Sequence, residues 1–453
     1  MKLDGNQLFS RKTGFPGPRL RKTVLKHFRV PGDQIATAGR QFPISSRVDI
    51  ESAIDELLQS RTGTRLLGLF SPNPHEPISL AQLLSRTPFG IEAGPLQYDE
   101  IDIGDTQPRR CLKNALWLAW EQDLPFAVTL STGGRFGFET GVQVEIAVPL
   151  GEEGSKFSQD LFRNLESISG KGATYRGRII SLEAHIHHMG FGSMVKVHRL
   201  PKVHREDVIL PRITLDLLDR NVTGFNVARP YLKSLHFQAR KGLLFYGPPG
   251  TGKTHTIHYL ASQLPGHTTL LITAEQVGLL GEYFRLARFL QPSVMVIEDV
   301  DLIARERTHM HTAWEEATLN KLLNEMDGLQ EDAEVLFILT TNRPEQIEPA
   351  LTSRPGRIDQ AIEFPLPDEE SRAKLTRLYS RGLEISQDLI DQIVSRTKGV
   401  SAAFIKELMR RCAQFQFEIS RDDALAPAAL DAALEELLIT GGALNRRLLG
   451  GAE

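Results

Sequence analysis

Eight consecutive residues read Gly247-Pro248-Pro249-Gly250-Thr251-Gly252-Lys253-Thr254, directly after the short apolar run Leu243–Tyr246. A G-x-x-x-x-G-K-[ST] sequence between a strand and a helix is typical of a phosphate-binding loop. Its glycines let backbone N–H groups surround phosphate oxygens, and the next helix directs the positive end of its dipole at them. Lys253 is expected to bridge the β- and γ-phosphates and Thr254 to place its hydroxyl on Mg²⁺. The loop therefore predicts that the chain binds a nucleotide.

Two adjacent acidic residues, Glu298 and Asp299, follow another apolar run, Val294–Ile297. A phosphate-binding loop needs a metal-binding acid at the end of a neighbouring strand, and this pair meets that need. Carboxylates beside a buried strand are costly to desolvate, which favours a functional role over a structural one. We therefore expect a metal site at this strand end.

Apolar runs alternate with helical stretches in the second half of the chain. The runs lie at 240–246, 270–273, 294–297 and 335–339. This alternation predicts a parallel α/β sheet. Beyond Asp368 the strand pattern stops, and four helical stretches follow at 369–381, 387–397, 402–419 and 427–438. The sequence thus predicts a large α/β domain over 206–367, a helical domain over 368–441 and a tail over 442–453.

Residues 1–205 are predicted to form a separate α+β module, because helical spacing comes first and strand-like runs follow. The basic segment 11–29 favours a solvated arm, and contact with nucleic acid or an acidic partner stays open. A metal site is the less favoured interpretation of His185, His187 and His188. At most two of these side chains would share a strand face, and no further ligand lies nearby at suitable spacing.

The composition excludes several classes of protein. The 53 Lys and Arg residues nearly balance 56 Asp and Glu residues, which argues against a strongly basic nucleic-acid coat. Cys111 and Cys412 lie far apart and outside any CxxC motif, so neither a disulfide framework nor a cysteine zinc site is expected. No apolar stretch approaches the roughly 18 residues of a membrane-spanning helix, and Met1–Asn6 lacks a signal-peptide pattern. We expect a cytoplasmic protein without a membrane span.

Further motifs make residues 211–440 resemble the ATPase module of the AAA family within the AAA+ superfamily. Leu322–Leu329 is similar to the family's intersubunit signalling helix and turn, and Leu339–Pro344 to its sensor 1 strand. Pro349–Asp359 resembles the second region of homology, and Gly399–Ala403 the start of the lid helix that closes over the adenosine. The resemblance implies an AAA+ P-loop parallel sheet domain with a C-terminal helical lid.

The resemblance also implies ATP and Mg²⁺ as cofactors, ATP hydrolysis as the activity and a homo-oligomeric ring, most often a hexamer. Asn342 would orient the attacking water, and Arg354 and Arg357 would be arginine fingers that reach the neighbouring subunit's nucleotide. The metal ligands would be Thr254 and Glu298. The nucleotide-binding set would comprise the Gly247–Thr254 loop with His255 and Ala403, and the catalytic set Glu298, Asp299, Asn342, Arg354 and Arg357.

The acidic pair departs from the family's usual order, in which Asp precedes Glu. The order Glu298-Asp299 is similar to that of the mitochondrial Rieske-protein translocase type. Our hypothesis is that Glu298 reaches the metal shell, while Asp299 is the catalytic carboxylate. The shorter side chain of Asp299 would slow ATP hydrolysis.

Peptide threading is disfavoured by a second departure. The segment Thr273–Phe284 is too short for an aromatic pore loop followed by a full helix, so Tyr283 and Phe284 are expected in a helix core. Arg305–His311 fits a second pore-facing loop and a solvated loop equally well.

Three functions therefore compete. The favoured one is an ATP-driven ring that remodels a protein or protein complex recognised by the N-terminal module. The second is a nucleotide-dependent assembly switch with little hydrolysis. The third is a nucleic-acid motor or loader, for which the basic segment 11–29 is the only feature.

Overall fold

The structure, a computed structural model, describes residues 17–59, 61, 63–71, 77–85, 91–133, 141–169, 174–187, 190–305, 322, 324–328, 333–346 and 357–440. The chain divides into two compact units. The first comprises Met1–Tyr175 and Leu182–Lys196, and the second Arg176–Ser181 and Val197–Glu453. The domain bounds given above stay predictions.

The first unit is built on a six-stranded antiparallel sheet. Its strands lie in the order β1-β8-β7-β6-β2-β3, with a separate ribbon of β4 and β5. The strands are β1 (Ile35–Phe42), β2 (Arg65–Phe70), β3 (Glu92–Gly94), β4 (Tyr98–Ile101), β5 (Arg109–Leu112), β6 (Asn114–Glu121), β7 (Leu124–Gly133) and β8 (Gly141–Pro149). Two further strands follow along the chain, β9 (Ile179–His187) and β10 (Gly190–His198), and they belong to the other large sheet.

Helices cover both faces of this sheet. The helices are α1 (Gly17–Phe28), α2 (Arg47–Gln59), α3 (Leu80–Leu84) and α4 (Glu152–Ser169). Ile54 of α2 and Phe162 of α4 pack with Val144 on one face. Val24 of α1 and Leu80 of α3 pack with Ala147 on the other. Because successive strand residues point to opposite faces, each strand supplies both cores.

The expectation of a solvated arm over 11–29 is wrong for residues 17–28. These residues form α1, and its Leu20, Val24 and Phe28 are buried. The three apolar residues recur every four positions, so they line one helix face that packs on the sheet. Lys22 and Lys26 of α1 are exposed on the remaining surface.

The second unit contains the predicted parallel sheet. The sheet has seven strands: after β10 and β9, of which β9 is parallel to β12, come five parallel strands in the order β12-β13-β14-β11-β15. They are β11 (Lys241–Tyr246), β12 (Thr268–Ile272), β13 (Ser293–Ile297), β14 (Val335–Thr341) and β15 (Gln360–Glu363). The connecting helices are α5 (Arg212–Leu218), α6 (Phe225–Ser234), α7 (Lys253–Gln263), α8 (Leu280–Phe289) and α9 (Val300–Arg305). The carboxyl ends of β11, β13 and β14 therefore meet at one edge of the sheet.

Four helices follow the sheet, as the sequence predicts. They are α10 (Glu369–Tyr379), α11 (Gln387–Arg396), α12 (Ala402–Ile419) and α13 (Pro427–Glu435). Side chains of Asp368, Ser386 and Ser401 accept hydrogen bonds from the first turns of α10, α11 and α12. These caps satisfy backbone donors that have no partner within the helix. In the described part of the chain, no helix is both long enough and apolar enough to cross a membrane.

Candidate functional site

The loop between β11 and α7 has three glycines with positive φ, Gly247, Gly250 and Gly252, and two of these also come close to other segments. Gly247 has φ 144° and Gly250 has φ 76°, which lie in the region that side chains disfavour. A Cβ on Gly247 would lie 2.2 Å from the Phe364 carbonyl oxygen, and one on Gly250 would lie 2.8 Å from Ser401 Oγ. The glycines thus let the loop pass close to β15 and to the start of α12.

Lys253 occupies the centre of the loop. Its Nζ donates to the carbonyl oxygens of Gly247 at 2.8 Å and Pro248 at 2.9 Å, and to Asn342 Oδ1 at 2.8 Å. The side chain is buried, and this desolvation lowers its pKa to about 8, although the charges of Asp299 and Asp301 oppose the shift. A phosphate anion beside this buried ammonium group would stabilise its charged form, so Lys253 is suited to bind phosphate.

Thr254 and Glu298 come together as the predicted metal site requires. Thr254 Oγ1 donates to Glu298 Oε1 at 2.8 Å. A hydroxyl and a carboxylate side by side supply the hard oxygen ligands that Mg²⁺ prefers, with substrate phosphates and water completing its shell. The donor set therefore fits Mg²⁺, and Thr254 and Glu298 would hold it.

Asp299 is held in an uncommon backbone conformation. Its φ is 48°, and its N–H donates to Thr340 Oγ1 at 2.9 Å. Asn342 Nδ2 donates to Asp299 Oδ1 at 3.0 Å. Burial raises the pKa of Asp299 and the nearby Asp301 adds to this, while Lys253 and the Asn342 bond oppose it. Asn342 thus joins the loop lysine to the acid, because its amide contacts both side chains.

The sequence analysis did not select Asp301, which supports this arrangement. Asp301 is only 3% exposed. Its Oδ1 accepts from Thr341 Oγ1 at 2.8 Å and from the Asn342 N–H at 3.2 Å. The only signal was its position two residues after Asp299, in the first turn of α9. Asp301 acts on the site by fixing the backbone that carries Asn342.

We expect Asp301→Asn to shift the pH profile of phosphate release toward lower pH. The amide keeps an oxygen for Thr341 and Asn342, so kcat should fall by about tenfold or less. The negative charge of Asp301 raises the pKa values of both Asp299 and Lys253. Its removal should therefore move the acidic and the basic limb in the same direction. The check is kcat/KM from pH 5 to 10.

Asp301→Leu is the control for the lost hydrogen bonds. It removes the charge and both acceptor contacts, so it should show the same shift with a larger loss of kcat. A lower but unshifted profile for Asp301→Asn would reduce this residue to a purely structural role.

The lid approaches the loop through its backbone. The Ala403 N–H donates to the Gly250 carbonyl oxygen at 3.1 Å. On the other side of the loop, His255 Nε2 lies 3.3 Å from the Asp207 carbonyl oxygen, and Arg381 of the lid segment donates to Asp207 Oδ1 at 2.9 Å. These contacts place His255 and Ala403 beside the loop, and their part in nucleotide binding stays a prediction.

Of the two predicted arginine fingers, Arg357 lies among the described residues and Arg354 does not. Arg357 is 7% exposed, and its Nε donates to Asp327 Oδ1 at 3.1 Å, with a second bond from Nη2 to Oδ2. Within one chain, the guanidinium fork of Arg357 is therefore held by the predicted signalling turn.

Tyr283 and Phe284 are fully buried in α8, which confirms that they belong to a helix core. Tyr283 Oη donates to the Leu271 carbonyl oxygen at 3.0 Å. The segment 306–311 lies outside the described residues, as do His188 and the side chains of His185 and His187. The described residues contain no group of three or more metal-binding side chains.

Residues 243–366 match the model of the family described as ATPase family associated with various cellular activities (AAA). The proteasome-activating nucleotidase of Methanothermobacter thermautotrophicus is 32% identical over 204 residues, which cover 42% of this chain and 50% of that protein. The 26S proteasome regulatory subunit S10B homolog B of Arabidopsis thaliana is 32% identical over 194 residues, 40% of this chain and 48% of that protein.

A third relative, the 26S proteasome regulatory subunit 10B of Dictyostelium discoideum, is 33% identical over 197 residues, 41% of this chain and 50% of that protein. The matched region thus spans about half the length of these curated relatives. Residues 243–366, which match the AAA family model, thus lie in the parallel α/β part of the second unit, and a helical region follows them.

Proposed function

We propose that this chain is an ATP-hydrolysing ring protein that couples ATP turnover to the remodelling of a protein or protein complex. The observation that carries the proposal is the continuous hydrogen-bonded path from Lys253 through Asn342 to Asp299. This path links a phosphate-binding cation to a carboxylate that can act on water. Such a link is what hydrolysis requires beyond nucleotide binding.

Each side chain then has one part in the reaction. Lys253 would exchange its carbonyl contacts for the β- and γ-phosphates, and Asn342 would orient the water. Asp299 would accept the proton of that water as it attacks. Thr254 and Glu298 would hold Mg²⁺, which neutralises developing negative charge on the phosphate oxygens. Burial raises the pKa of Asp299, which makes its carboxylate a stronger base.

The inverted order Glu298-Asp299 is compatible with this assignment, and we assign the chain a hydrolysis-competent pair of the Rieske-protein translocase type. The longer arm of Glu298 bonds to Thr254 on the metal side. The shorter arm of Asp299 bonds to Asn342 on the water side. We therefore expect a slow but active enzyme.

Ring assembly is supported by exposed apolar side chains in the second unit. Val227 and Tyr231, on α6, are 79% and 67% exposed, and Phe237, just beyond it, is also exposed. Phe417 of α12 is 60% exposed. Large apolar side chains grouped on a surface indicate an interaction site. Exposed apolar side chains on two different helices of one unit, α6 and α12, favour a head-to-tail contact between copies, which closes into a ring. We propose a hexamer.

The relatives' names refer to proteasome activation and regulation. We carry over the general action on protein clients, and we propose that residues 1–205 recognise the client. A cytoplasmic location is also proposed, since both cysteines, Cys111 and Cys412, are free and buried.

The first test is phosphate release as a function of protein concentration, with particle size followed by light scattering. Specific activity should rise severalfold as rings form. Tyr231→Glu should move this rise to higher concentration, by about tenfold, because it places a charge in the proposed contact. Leu150→Glu is the matched control, since Leu150 is equally exposed but lies in the first unit.

Two outcomes would contradict the proposal. ATP-dependent assembly without phosphate release would identify an assembly switch. Activity that appears only with DNA or RNA, and falls steeply with salt, would identify a nucleic-acid motor.

A further inference from the structure

We infer that the outer strand β1 of the first unit binds an extended, acidic segment of the client, which joins the sheet as an additional strand. The inference deepens the proposed function and rests on it, because it names the partner class of residues 1–205. It is carried by the backbone of β1, by a cavity beside it and by the charge of its surroundings.

The two edges of the six-stranded sheet are unlike. The edge strand β3 has three residues and is followed by Pro95. The edge strand β1 has eight residues and contains no proline. Short edges and prolines are common means of preventing unwanted strand pairing. Only β1 therefore keeps an edge long enough to accept another strand.

The outward groups of β1 follow from its pairing with β8. The Gln34 carbonyl oxygen accepts from the Leu150 N–H at 2.7 Å, and the register continues as Ala36 opposite Val148. In an antiparallel pair the bonding direction alternates along the strand. The backbone groups of Thr37, Gly39 and Gln41 therefore point away from β8. Among the described residues no backbone hydrogen bond reaches them.

A cavity of about 580 Å³ adjoins the start of this edge. Ile35 and Thr37 form its strand wall, Leu25 of α1 and Leu84 of α3 supply apolar surface, and Arg21 lies at its border. Residues two apart on a strand share a face, so a side chain of an added strand on that face would enter the cavity. The volume admits an apolar side chain such as leucine.

The lining of the cavity carries one cation, Arg21, and one anion, Asp33, whereas helix α1 beside it is basic. From Gly17 to Phe42 the chain has six Lys and Arg residues and one acidic residue, Asp33. Lys22 and Lys26 of α1 are exposed, and they neighbour the cavity residues Arg21 and Leu25 along the helix. Charge complementarity favours a segment in which acidic residues flank the apolar one. Nucleic acid offers negative charge, but it has neither a strand backbone nor an aliphatic side chain, so we favour a peptide.

The test uses a fluorescein-labelled peptide, Thr-Glu-Thr-Leu-Thr-Glu-Thr, whose leucine and glutamates share one face. Binding to the full chain is followed by fluorescence anisotropy without nucleotide. Two further peptides carry N-methyl groups, either on the Glu and Leu amides or on the Thr amides. Only one set of amides can face β1, so one pattern should weaken binding by about tenfold or more and the other should not. Equal effects of the two patterns would overturn the inference.

Two protein variants complete the test. Ala81 lines the cavity, and Ala81→Trp should fill it and weaken peptide binding about tenfold. Ala93→Trp is the matched control, because Ala93 is an exposed alanine on the opposite edge strand. Thr37→Pro removes one outward N–H without touching the β8 ladder, and it should also weaken binding.

Phosphate release is measured separately for each variant. An inactive ATPase that still binds the peptide would refute the proposed function alone, whereas an active one that does not would refute this inference alone. Binding of a fluorescein-labelled single-stranded DNA that Ala81→Trp abolishes, without peptide binding, would assign the surface to nucleic acid and overturn the inference.

Discussion

Asp299→Asn is expected to slow phosphate release about a thousandfold while ATP binding changes little. The amide cannot accept a proton, so the attacking water loses its base. The asparagine side chain has the same size as that of Asp299, and its oxygen can still accept the hydrogen bond from Asn342 Nδ2, which lies 3.0 Å from Asp299 Oδ1. The backbone bond from its N–H to Thr340 Oγ1 also stays. Single-turnover phosphate release and a fluorescent ATP analogue measure the two effects.

Glu298→Gln is the variant to compare with it. Glu298 contacts Thr254 rather than Asn342. The change should therefore raise the Mg²⁺ concentration needed for half-maximal activity, which Asp299→Asn should leave unchanged. If the two variants exchanged these phenotypes, the two acids would have the opposite roles, with Asp nearer the metal as in most of the family.

The loop that carries Lys253 and Thr254 was predictable because it is local in sequence, and its binding of phosphate stays a prediction. Gly247–Thr254 lies in one loop, and the roles of Lys253 and Thr254 follow from their place in it. The strands were predictable for the same reason, since β13 and β14 are continuous buried runs. Buried parallel strands need only apolar residues and suitable ends to be recognised.

Other parts depend on contacts between distant segments. Asp301 contributes by meeting Thr341 and Asn342, about 40 positions along the chain. The Arg357–Asp327 pair likewise joins two separate segments. In the first unit, α1 looked like a charged arm because its five basic or histidine side chains obscured the apolar face formed by Leu20, Val24 and Phe28. An open edge at β1 could not be predicted, because strand order is a property of the assembled sheet.

Arg354→Ala is expected to reduce phosphate release about a thousandfold, as loss of a transition-state arginine does. The arginine and Asp299 would serve one site from two subunits. Arg357 is a different case, because its fork is buried against Asp327 of its own chain. Asp327→Ala would leave a buried cation unpaired and should lower the free energy of unfolding by about 3 kcal/mol. Urea unfolding of the two variants separates these roles, since Arg354→Ala should leave stability unchanged.

Mixing inactive variants tests the shared site directly. In rings formed from equal amounts of Asp299→Asn and Arg354→Ala chains, about a quarter of the sites would combine an intact Asp299 with an intact neighbouring Arg354. Activity should therefore return to about a quarter of the wild-type value, although neither variant is active alone. An Arg357→Ala chain should restore less, because that change also removes the partner of Asp327 within its own subunit. No recovery in the first mixture would mean that Arg354 acts in its own chain. If Arg357→Ala chains restored activity to the same quarter of the wild-type value, the guanidinium group of Arg357 would have to leave Asp327 when the ring forms.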